Sequence, residues 1–268
     1  MNFFTYFGFK FLFNKNKSFI WVSKKNKFKI ISNIRSIKTD LLIGIDAQKQ
    51  TILNNTTNFA KGNFTNNALL WGARGNGKST LVKSIFNEIS KKYEFLKLIQ
   101  INKNDIYDIQ KIYSILDKFN NFRFILFIDD LSFEKIDSDY KLIKSILDGN
   151  IQIQPNNIII YITSNRRHLM PRDMIDNEKS SAIHTDESVE EKVSLSDRFG
   201  LWIGFHNLSQ LDYINIVKNY LQYYDIKYSD LDIQNSIKWS LQRGNRTGRT
   251  AWQYVIQFAS EKNLKITF

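Results

Sequence analysis

The sequence predicts an α/β fold in which a parallel five-stranded sheet is followed by a small C-terminal helical domain. Three observations lead to this prediction. From Leu41 onward, short apolar runs alternate with segments of helical periodicity, as expected for a parallel sheet with crossover helices. Beyond His206 every periodic segment has helical spacing. One junction between a predicted strand and a predicted helix carries a glycine-rich run, GARGNGKS, with a fixed residue pattern.

The predicted elements can be placed in order along the chain. The strands of the sheet are expected at residues 68–71, 95–101, 122–128, 158–163 and 201–205. The helices are expected at residues 79–92, 106–119, 137–147, 209–224 (capped by Ser209), 231–241 and 249–261. Polar, acid-rich residues without a hydrophobic period predict a surface loop at 171–193. The predicted domains are an N-terminal extension (1–39), an α/β domain (40–206) and a helical lid domain (207–268).

The positive charge of the chain is concentrated at its N-terminus. The net charge is +12, and residues 1–39 hold eight lysines and one arginine before the first acidic residue, Asp40. Two further strands could form there, at 19–22 and 28–31. Residues 1–38 could contact nucleic acid or an anionic membrane surface, or their lysines could reflect only the nucleotide composition of the gene. Deleting them is expected to leave the glycine-rich run and its partner residues in place.

Composition excludes several classes of protein. The chain has no cysteine, which excludes disulfides, thiol catalysis and thiolate metal sites. Its three histidines share no ligand spacing, so they predict no metal site. The sequence contains no apolar run near the roughly 18 residues of a transmembrane helix. Its opening segment lacks the features of a secretory signal, and an organellar transit peptide is a weaker alternative, which the absence of acidic residues fits and the single arginine does not. We therefore expect a protein of the cytoplasm without a transmembrane segment.

The glycine-rich run has the pattern G-x-x-x-x-G-K-[ST] of a phosphate-binding loop, between a predicted strand and a predicted helix. Glycines let successive backbone N–H groups turn toward a phosphate. Lys78 would place a positive charge on the β and γ phosphates, and Ser79 would offer its hydroxyl to Mg²⁺. The residues predicted to bind a nucleoside triphosphate are Gly72, Ala73, Arg74, Gly75, Asn76, Gly77, Lys78, Ser79 and Thr80.

Polar residues follow two later strands. Asp129 and Asp130 end the apolar run FRFILFI, and Asn165 follows the run IIIYITS. A carboxylate beside the phosphate loop can hold Mg²⁺, which assigns Asp129 to the metal. Its neighbour Asp130 is the candidate general base that polarises the attacking water. Asn165 could hydrogen-bond both the γ-phosphate and that water without adding charge.

Arginines near the end of the predicted sheet and at the start of the last helix complete the set. Arg198 precedes the fifth predicted strand, and Arg243, Arg246 and Arg249 surround the start of the last helix. A guanidinium offers a permanently charged fork for phosphate oxygens. One that is supplied in the transition state can raise the rate by several orders of magnitude.

Taken in order, these motifs resemble those of the P-loop NTPases known as AAA+ ATPases. GARGNGKS resembles Walker A, ILFIDD Walker B, TSN sensor 1, SDRF the arginine-finger box and TGRTAW sensor 2 at the start of a lid helix. The resemblance covers about residues 41–268. Within this superfamily, runs such as LLWGARGNGKSTLVK and EKVSLSDRFGLWIGFH resemble a bacterial group known only as a domain of unknown function.

The resemblance implies ATP and Mg²⁺ as cofactors and a homo-oligomer. It implies that residues 42–45, with Ile43 among them, pack beside adenine. It also implies that Arg198 reaches into the site of a neighbouring subunit and that Arg249 contacts the γ-phosphate, although Arg246 is an alternative to Arg249. Asp130 stands where glutamate is usual, so its shorter carboxylate would lie farther from the water and hydrolysis could be slow, although the IDD form also resembles that of replication-initiator ATPases.

Three functions remain open from the sequence. The first is an oligomeric ATPase that couples hydrolysis of Mg-ATP to work on a macromolecular partner. The second is a nucleotide-dependent switch or scaffold with little turnover, which the short side chain of Asp130 keeps open. The third is a small-molecule kinase with the same loop, but the acid-rich segment at 171–193 and the helical tail do not resemble an arginine-rich kinase lid.

Overall fold

The structure, a computed structural model, describes residues 3–133, 138–147, 154–169 and 198–266. The predicted loop at 171–193 lies outside these residues. The strands are β1 (Ser18–Val22), β2 (Lys27–Ile30), β3 (Ala68–Gly72), β4 (Leu96–Ile101), β5 (Arg123–Ile128), β6 (Ile158–Ser164) and β7 (Leu201–Phe205). Their order across one sheet is β2-β1-β4-β5-β6-β3-β7. All neighbouring strands are parallel except β1 and β2.

The described sheet has seven strands, so the prediction of a five-stranded sheet was wrong. Two strands from the N-terminal segment extend the predicted five: β1 lies parallel to β4, and β2 pairs antiparallel with β1. They join the sheet because Phe19, Trp21 and Phe28 are buried in the core. The N-terminal segment therefore packs against the sheet, while the domain boundaries themselves stay a prediction.

Helices cover both faces of the sheet and continue beyond it. They are α1 (Phe3–Lys15), α2 (Asp46–Ala60), α3 (Lys78–Lys92), α4 (Ile109–Leu116), α5 (Ser138–Leu147), α6 (Gln210–Tyr223), α7 (Asp230–Gln242) and α8 (Gly248–Glu261). Helices α2 and α3 pack on one face, whereas α1, α4 and α5 pack on the other. Side chains of a strand alternate between the two faces, so Leu98 packs in the core beneath α2 and α3, whereas Ile99 packs in the core beneath α1, α4 and α5.

Helices α6, α7 and α8 form a small helical domain with a core of its own. Tyr213, Val217 and Val255 are buried at its centre. Ser209 and Ser229 begin α6 and α7 with capping boxes, in which a serine hydroxyl accepts a backbone N–H and an aspartate returns the contact. The predicted cap at Ser209 is confirmed. This domain lies beside the sheet edge where the parallel strands end.

Helix α1 holds the N-terminal segment on the sheet through Phe13. This side chain is fully buried, and its ring centroid lies 5.3 Å from that of Phe19 and 5.1 Å from that of Phe124. Phe13→Ala should lower the free energy of unfolding by about 3–5 kcal/mol, because it leaves a cavity between aromatic rings. Phe11 lies on the same helix and is 62% exposed, so Phe11→Ala should change it by less than about 0.5 kcal/mol. Equal urea midpoints for the two variants would contradict this packing.

Candidate functional site

A cavity of about 620 Å³ lies between the carboxyl ends of the strands and the helical domain. This volume is within the range of about 300–1,000 Å³ that is typical of small-molecule sites. Its lining residues include Arg35, Ser36, Ile37, Leu42, Ile43, Ile45, residues 74–80, Asp129, Asp130, Thr163, Asn165, Ile216, Tyr220, Arg249 and Trp252. Most of the residues that the sequence predicts for the site therefore meet at one place.

The glycine-rich loop, residues 72–79, connects β3 to α3 and requires glycine at two positions for reasons that the structure makes clear. Gly72 has φ +130°, and a Cβ there would lie 2.0 Å from the backbone oxygen of Phe205 in β7. Gly75 has φ +82°, and a Cβ there would lie 2.8 Å from Oγ1 of Thr247. The loop is therefore packed closely between the edge strand and the helical domain.

Lys78 begins α3 and is buried beneath the loop. Its Nζ donates hydrogen bonds to the backbone oxygens of Gly72 at 2.7 Å and Ala73 at 2.8 Å. It also donates to Oδ1 of Asn165 at 3.2 Å. The ammonium group thus lies at the centre of the loop and contacts the end of β6.

Burial lowers the pKa of Lys78 from 10.5 to about 8. Asp130 and Asp129 act in the opposite direction, and the positive charges of Arg249 and Arg74 lower the pKa further. Charge at this position is therefore costly in the ligand-free protein, and an anionic ligand would relieve that cost.

Asp129 is held by two hydroxyl groups. Ser79 Oγ donates to Oδ1 of Asp129, and Thr163 Oγ1 donates to the same oxygen at 2.6 Å. Lys83 approaches the other oxygen at 3.8 Å. The two residues predicted as metal ligands, Ser79 and Asp129, are thus in direct contact. A hydroxyl and a carboxylate oxygen beside the phosphate loop form a donor set that suits Mg²⁺.

Asp130 follows its neighbour in a left-handed backbone conformation, with φ +55°. Its backbone N–H donates to Thr163 Oγ1 at 2.9 Å, and its carboxylate accepts a hydrogen bond from Nδ2 of Asn165. The amide of Asn165 therefore connects Lys78 to Asp130. Both aspartates line the same cavity and share Thr163, but their carboxylates differ in partners: that of Asp129 accepts from Ser79 and Thr163, and that of Asp130 accepts from Asn165.

The helical domain closes the cavity from the other side. Arg249 lines it, and its backbone N–H donates to the oxygen of Gly75 at 3.2 Å. Arg246 does not line this cavity, and its guanidinium donates to Oε1 of Gln210 at 3.3 Å. Of the two arginines left open by the sequence, Arg249 is the one beside the loop.

Arg198 does not line this cavity. It borders a smaller one of about 260 Å³ together with Asn66, Asn67 and Ile158. These residues precede or begin β3 and β6, and the two strands run parallel from there to the end that carries the loop. The structure therefore places Arg198 at the opposite end of the strands from the loop of its own chain.

Some lining residues were not predicted from the sequence. Thr163 contacts both aspartates, and Tyr220 and Trp252 of the helical domain form part of the apolar wall. Arg35 and Ile37 come from the N-terminal segment, so deleting residues 1–38 would keep the glycine-rich run and its partner residues but would remove part of the cavity wall. A hydroxyl residue at the end of β6 could have been noticed, whereas the others carry no local signal.

The comparisons with known proteins decide the family. The model of a family described as protein of unknown function (DUF815) matches residues 14–262. The chain belongs to this family. No curated protein matches the sequence. The resemblance to a group of AAA+ ATPases known only as a domain of unknown function is thus confirmed.

Solved structures share the fold of this DUF815 chain. The Holliday junction branch migration motor RuvB of Thermotoga maritima matches with a TM-score of 0.54 and 20% identity, covering 85% of this chain and 66% of its own. Domain III of the replication initiation protein DnaA of T. maritima matches with a TM-score of 0.51 and 14% identity, and the match covers 84% of this chain and 88% of the DnaA domain. AMPPCP-bound DnaA of Aquifex aeolicus matches with a TM-score of 0.52 and 15% identity, and the match covers 82% of this chain and 62% of the DnaA chain. The fold is the AAA+ α/β fold.

Within the described residues, no helix is both long enough and apolar enough to cross a membrane.

Proposed function

We propose that this protein is an Mg²⁺-dependent ATPase that couples hydrolysis to movement of its helical domain against a macromolecular partner. The observation that carries the proposal is the continuous contact in one cavity from Lys78 through Asn165 to Asp130, beside the pair Ser79 and Asp129. These groups provide phosphate binding, a water-polarising base and an oxygen donor set for the metal. The A. aeolicus DnaA structure, described with AMPPCP bound, supports a nucleotide as the ligand.

In this proposal, residues of the glycine-rich loop bind the phosphates. Lys78 turns from the backbone oxygens of Gly72 and Ala73 toward the phosphate oxygens, which favour its charged form. Ser79 and Asp129 would hold Mg²⁺, and the ion would neutralise phosphate charge. Arg249, at the N-terminus of α8, adds a positive charge from the helical domain.

Hydrolysis depends on a correctly placed water. Asp130 accepts the water's hydrogen bond and polarises it, while Asn165 orients both the water and the terminal phosphate. The Asn165 amide contacts both Lys78 and Asp130. A phosphate that binds Lys78 would therefore release Oδ1 of Asn165 from its hydrogen bond with Lys78. Binding of the nucleotide would thereby change the position of the Asn165 amide, which contacts the general base Asp130.

The base of the nucleotide would lie against the apolar part of the cavity. Ile43, Ile45 and Ile216 line that wall together with Trp252. The wall joins the segment before α2 to the helical domain, so a bound base would contact both. The backbone bond from Arg249 to Gly75 adds a second connection, through which a change at the loop would move α8.

We further propose that Arg198 acts in the site of a neighbouring subunit of a homo-oligomer. Its place at the far end of β3 and β6 supports this, because the guanidinium does not border the cavity of its own chain. The lysine-rich residues 1–38 are our candidate contact to nucleic acid or an anionic membrane. Lys27 and Lys29 of β2, at the edge of the sheet, are exposed.

A nucleotide switch with little turnover is the second candidate function. It is favoured by Asp130, whose short carboxylate is already engaged by Asn165. Steady-state phosphate release with Mg-ATP separates the two functions. The ATPase requires continuous release that matches ATP consumption and stops when EDTA removes Mg²⁺. Binding of ATP without continuous release would favour the switch, and ATP consumption without phosphate release would favour a kinase.

The affinity for ATP should fall as the pH rises above about 8, because the pKa of Lys78 is about 8 in the free protein. Above this pH, binding of the phosphates requires uptake of one proton by Lys78, so Kd should rise by up to about tenfold per pH unit. A phosphate loses its second proton near pH 6, so the phosphates of ATP are already fully ionised above pH 8 and do not contribute to this pH dependence. Calorimetry at pH 9 in two buffers of different ionisation enthalpy measures the uptake. A Kd constant from pH 7 to pH 9.5 without proton uptake would contradict the assignment.

A further inference from the structure

A second cavity, of about 860 Å³, lies behind the glycine-rich loop. Its walls come from the loop, from the residues after β7 and from the connection between α7 and α8. Four arginines line it, Arg74, Arg243, Arg246 and Arg249, and no acidic residue does. Arg74 and Arg249 also line the first cavity, so the two cavities share a wall.

None of these four arginines forms an ion pair within the described residues, although Asp129 and Asp130 line the first cavity together with Arg74 and Arg249. Arg243 lies with its guanidinium carbon 3.3 Å from the ring centroid of Trp239. Arg246 donates to Gln210, and its Nε is buried without a hydrogen-bond partner among the described residues.

Arg74, Arg243 and Arg249 are exposed and Arg246 is half-buried, so solvent screens their repulsion but leaves a cluster of positive charge that an anion would neutralise. Guanidinium groups keep their charge at all relevant pH values, so they cannot relieve mutual repulsion by losing protons. A buried N–H group without a partner adds a further cost. The planar fork of a guanidinium matches phosphate oxygens in a bidentate geometry. The N-terminus of α8, at Gly248, contributes positive potential to the same region.

We propose that this second cavity binds a phosphate group, separately from the phosphates of the nucleotide in the first cavity. The phosphate could belong to a small anion or to the backbone of a nucleic acid, and both present the same oxygens. Because Arg74 and Arg249 border both cavities, an anion here would contact the glycine-rich loop from behind. The proposal does not depend on ATP hydrolysis.

The test uses inorganic pyrophosphate and the full chain with Lys78→Ala, which removes the ammonium of the first cavity. Calorimetry should still detect one binding event. Adding Arg243→Gln and Arg246→Gln should weaken it by at least about tenfold, because two charge-assisted contacts are lost. Lys238→Gln is the matched control, since Lys238 is an exposed residue of α7 outside the cavity, and it should leave Kd unchanged. If the chain with both Arg243→Gln and Arg246→Gln (the double variant) does not fold, Arg243→Gln alone in the Lys78→Ala chain tests the exposed arginine.

A labelled single-stranded thymidine oligonucleotide at about 50 mM salt, where electrostatic binding is strong, identifies the source of the phosphate. Parallel losses of oligonucleotide and pyrophosphate binding in the double variant would indicate a nucleic acid. Loss of pyrophosphate binding alone would indicate a small anion. No pyrophosphate binding in the Lys78→Ala chain, or equal effects of Lys238→Gln and the arginine variants, would overturn the proposal. Two binding events in the Lys78→Ala chain, one of them insensitive to the arginine variants, would contradict the role of Lys78 instead.

Discussion

Lys78→Ala should weaken ATP binding by about 100-fold or more, whereas Asp130→Asn should bind ATP normally and hydrolyse it about 10²–10⁴ times more slowly. The first change leaves phosphate charge without its buried ammonium partner. The second removes the base but keeps the shape of the side chain. Asparagine tolerates a left-handed backbone as aspartate does, so the φ of +55° at this position is preserved.

Two exposed residues of similar type serve as controls. Lys91 lies in the last turn of α3, and Asp117 directly follows α4. Lys91→Ala and Asp117→Asn should change neither the Kd for ATP nor phosphate release. Equal nucleotide affinity of Lys78→Ala and the wild type in calorimetry would remove the loop from its proposed role. Full turnover by Asp130→Asn would show that another group polarises the water.

Arg198→Ala should reduce phosphate release by about 10³-fold or more while ATP affinity remains unchanged. The reason is its position at the end of the strands opposite the loop of its own chain, together with our proposal that it acts in the site of a neighbouring subunit. Arg123 is the matched control. It lies at the same end of the sheet, where its guanidinium donates to the backbone oxygen of Asn156 at 3.0 Å. Arg123→Ala should retain activity.

Mixing two inactive variants tests whether Arg198 acts between subunits. In a mixed oligomer of Arg198→Ala and Lys78→Ala, some interfaces join an intact loop to an intact arginine. Phosphate release should therefore recover in part. If the two variants assemble together, as shown by differently tagged chains, and no activity returns, then Arg198 does not act across an interface.

The sequence predicted the elements whose patterns are strong and missed those whose patterns are weak. Strands β3 to β7 are apolar runs between polar segments, and all five were found. Helix α2 was missed because asparagine and threonine, which are weak helix formers, fill its C-terminal half. It is held by tertiary contacts instead: Asn55 and Thr56 each lie 2.9 Å from the hydroxyl of buried Tyr161. Helix α1 is rich in aromatic residues on several sides, which hides its period.

The site divides in the same way. The glycine-rich loop, Asp129, Asp130 and Asn165 were predicted because each belongs to a short motif next to a strand end, and parallel strands bring such ends to one edge. Arg35, Tyr220 and Trp252 reach the cavity from segments that are distant in sequence. Their presence depends on how the N-terminal segment and the helical domain pack, and no local spacing records that packing.

The lysines of β2 affect how the open edge of the sheet can pair. Among the described residues this strand pairs with β1 alone, so one row of its backbone N–H and C=O groups lies at the end of the described sheet. Open strand edges invite pairing with a second chain and growth into aggregates. Lys27 and Lys29 are exposed on this short strand, and bringing two such edges together would oppose four ammonium charges. The lysines would therefore oppose edge-to-edge pairing of two copies of this chain.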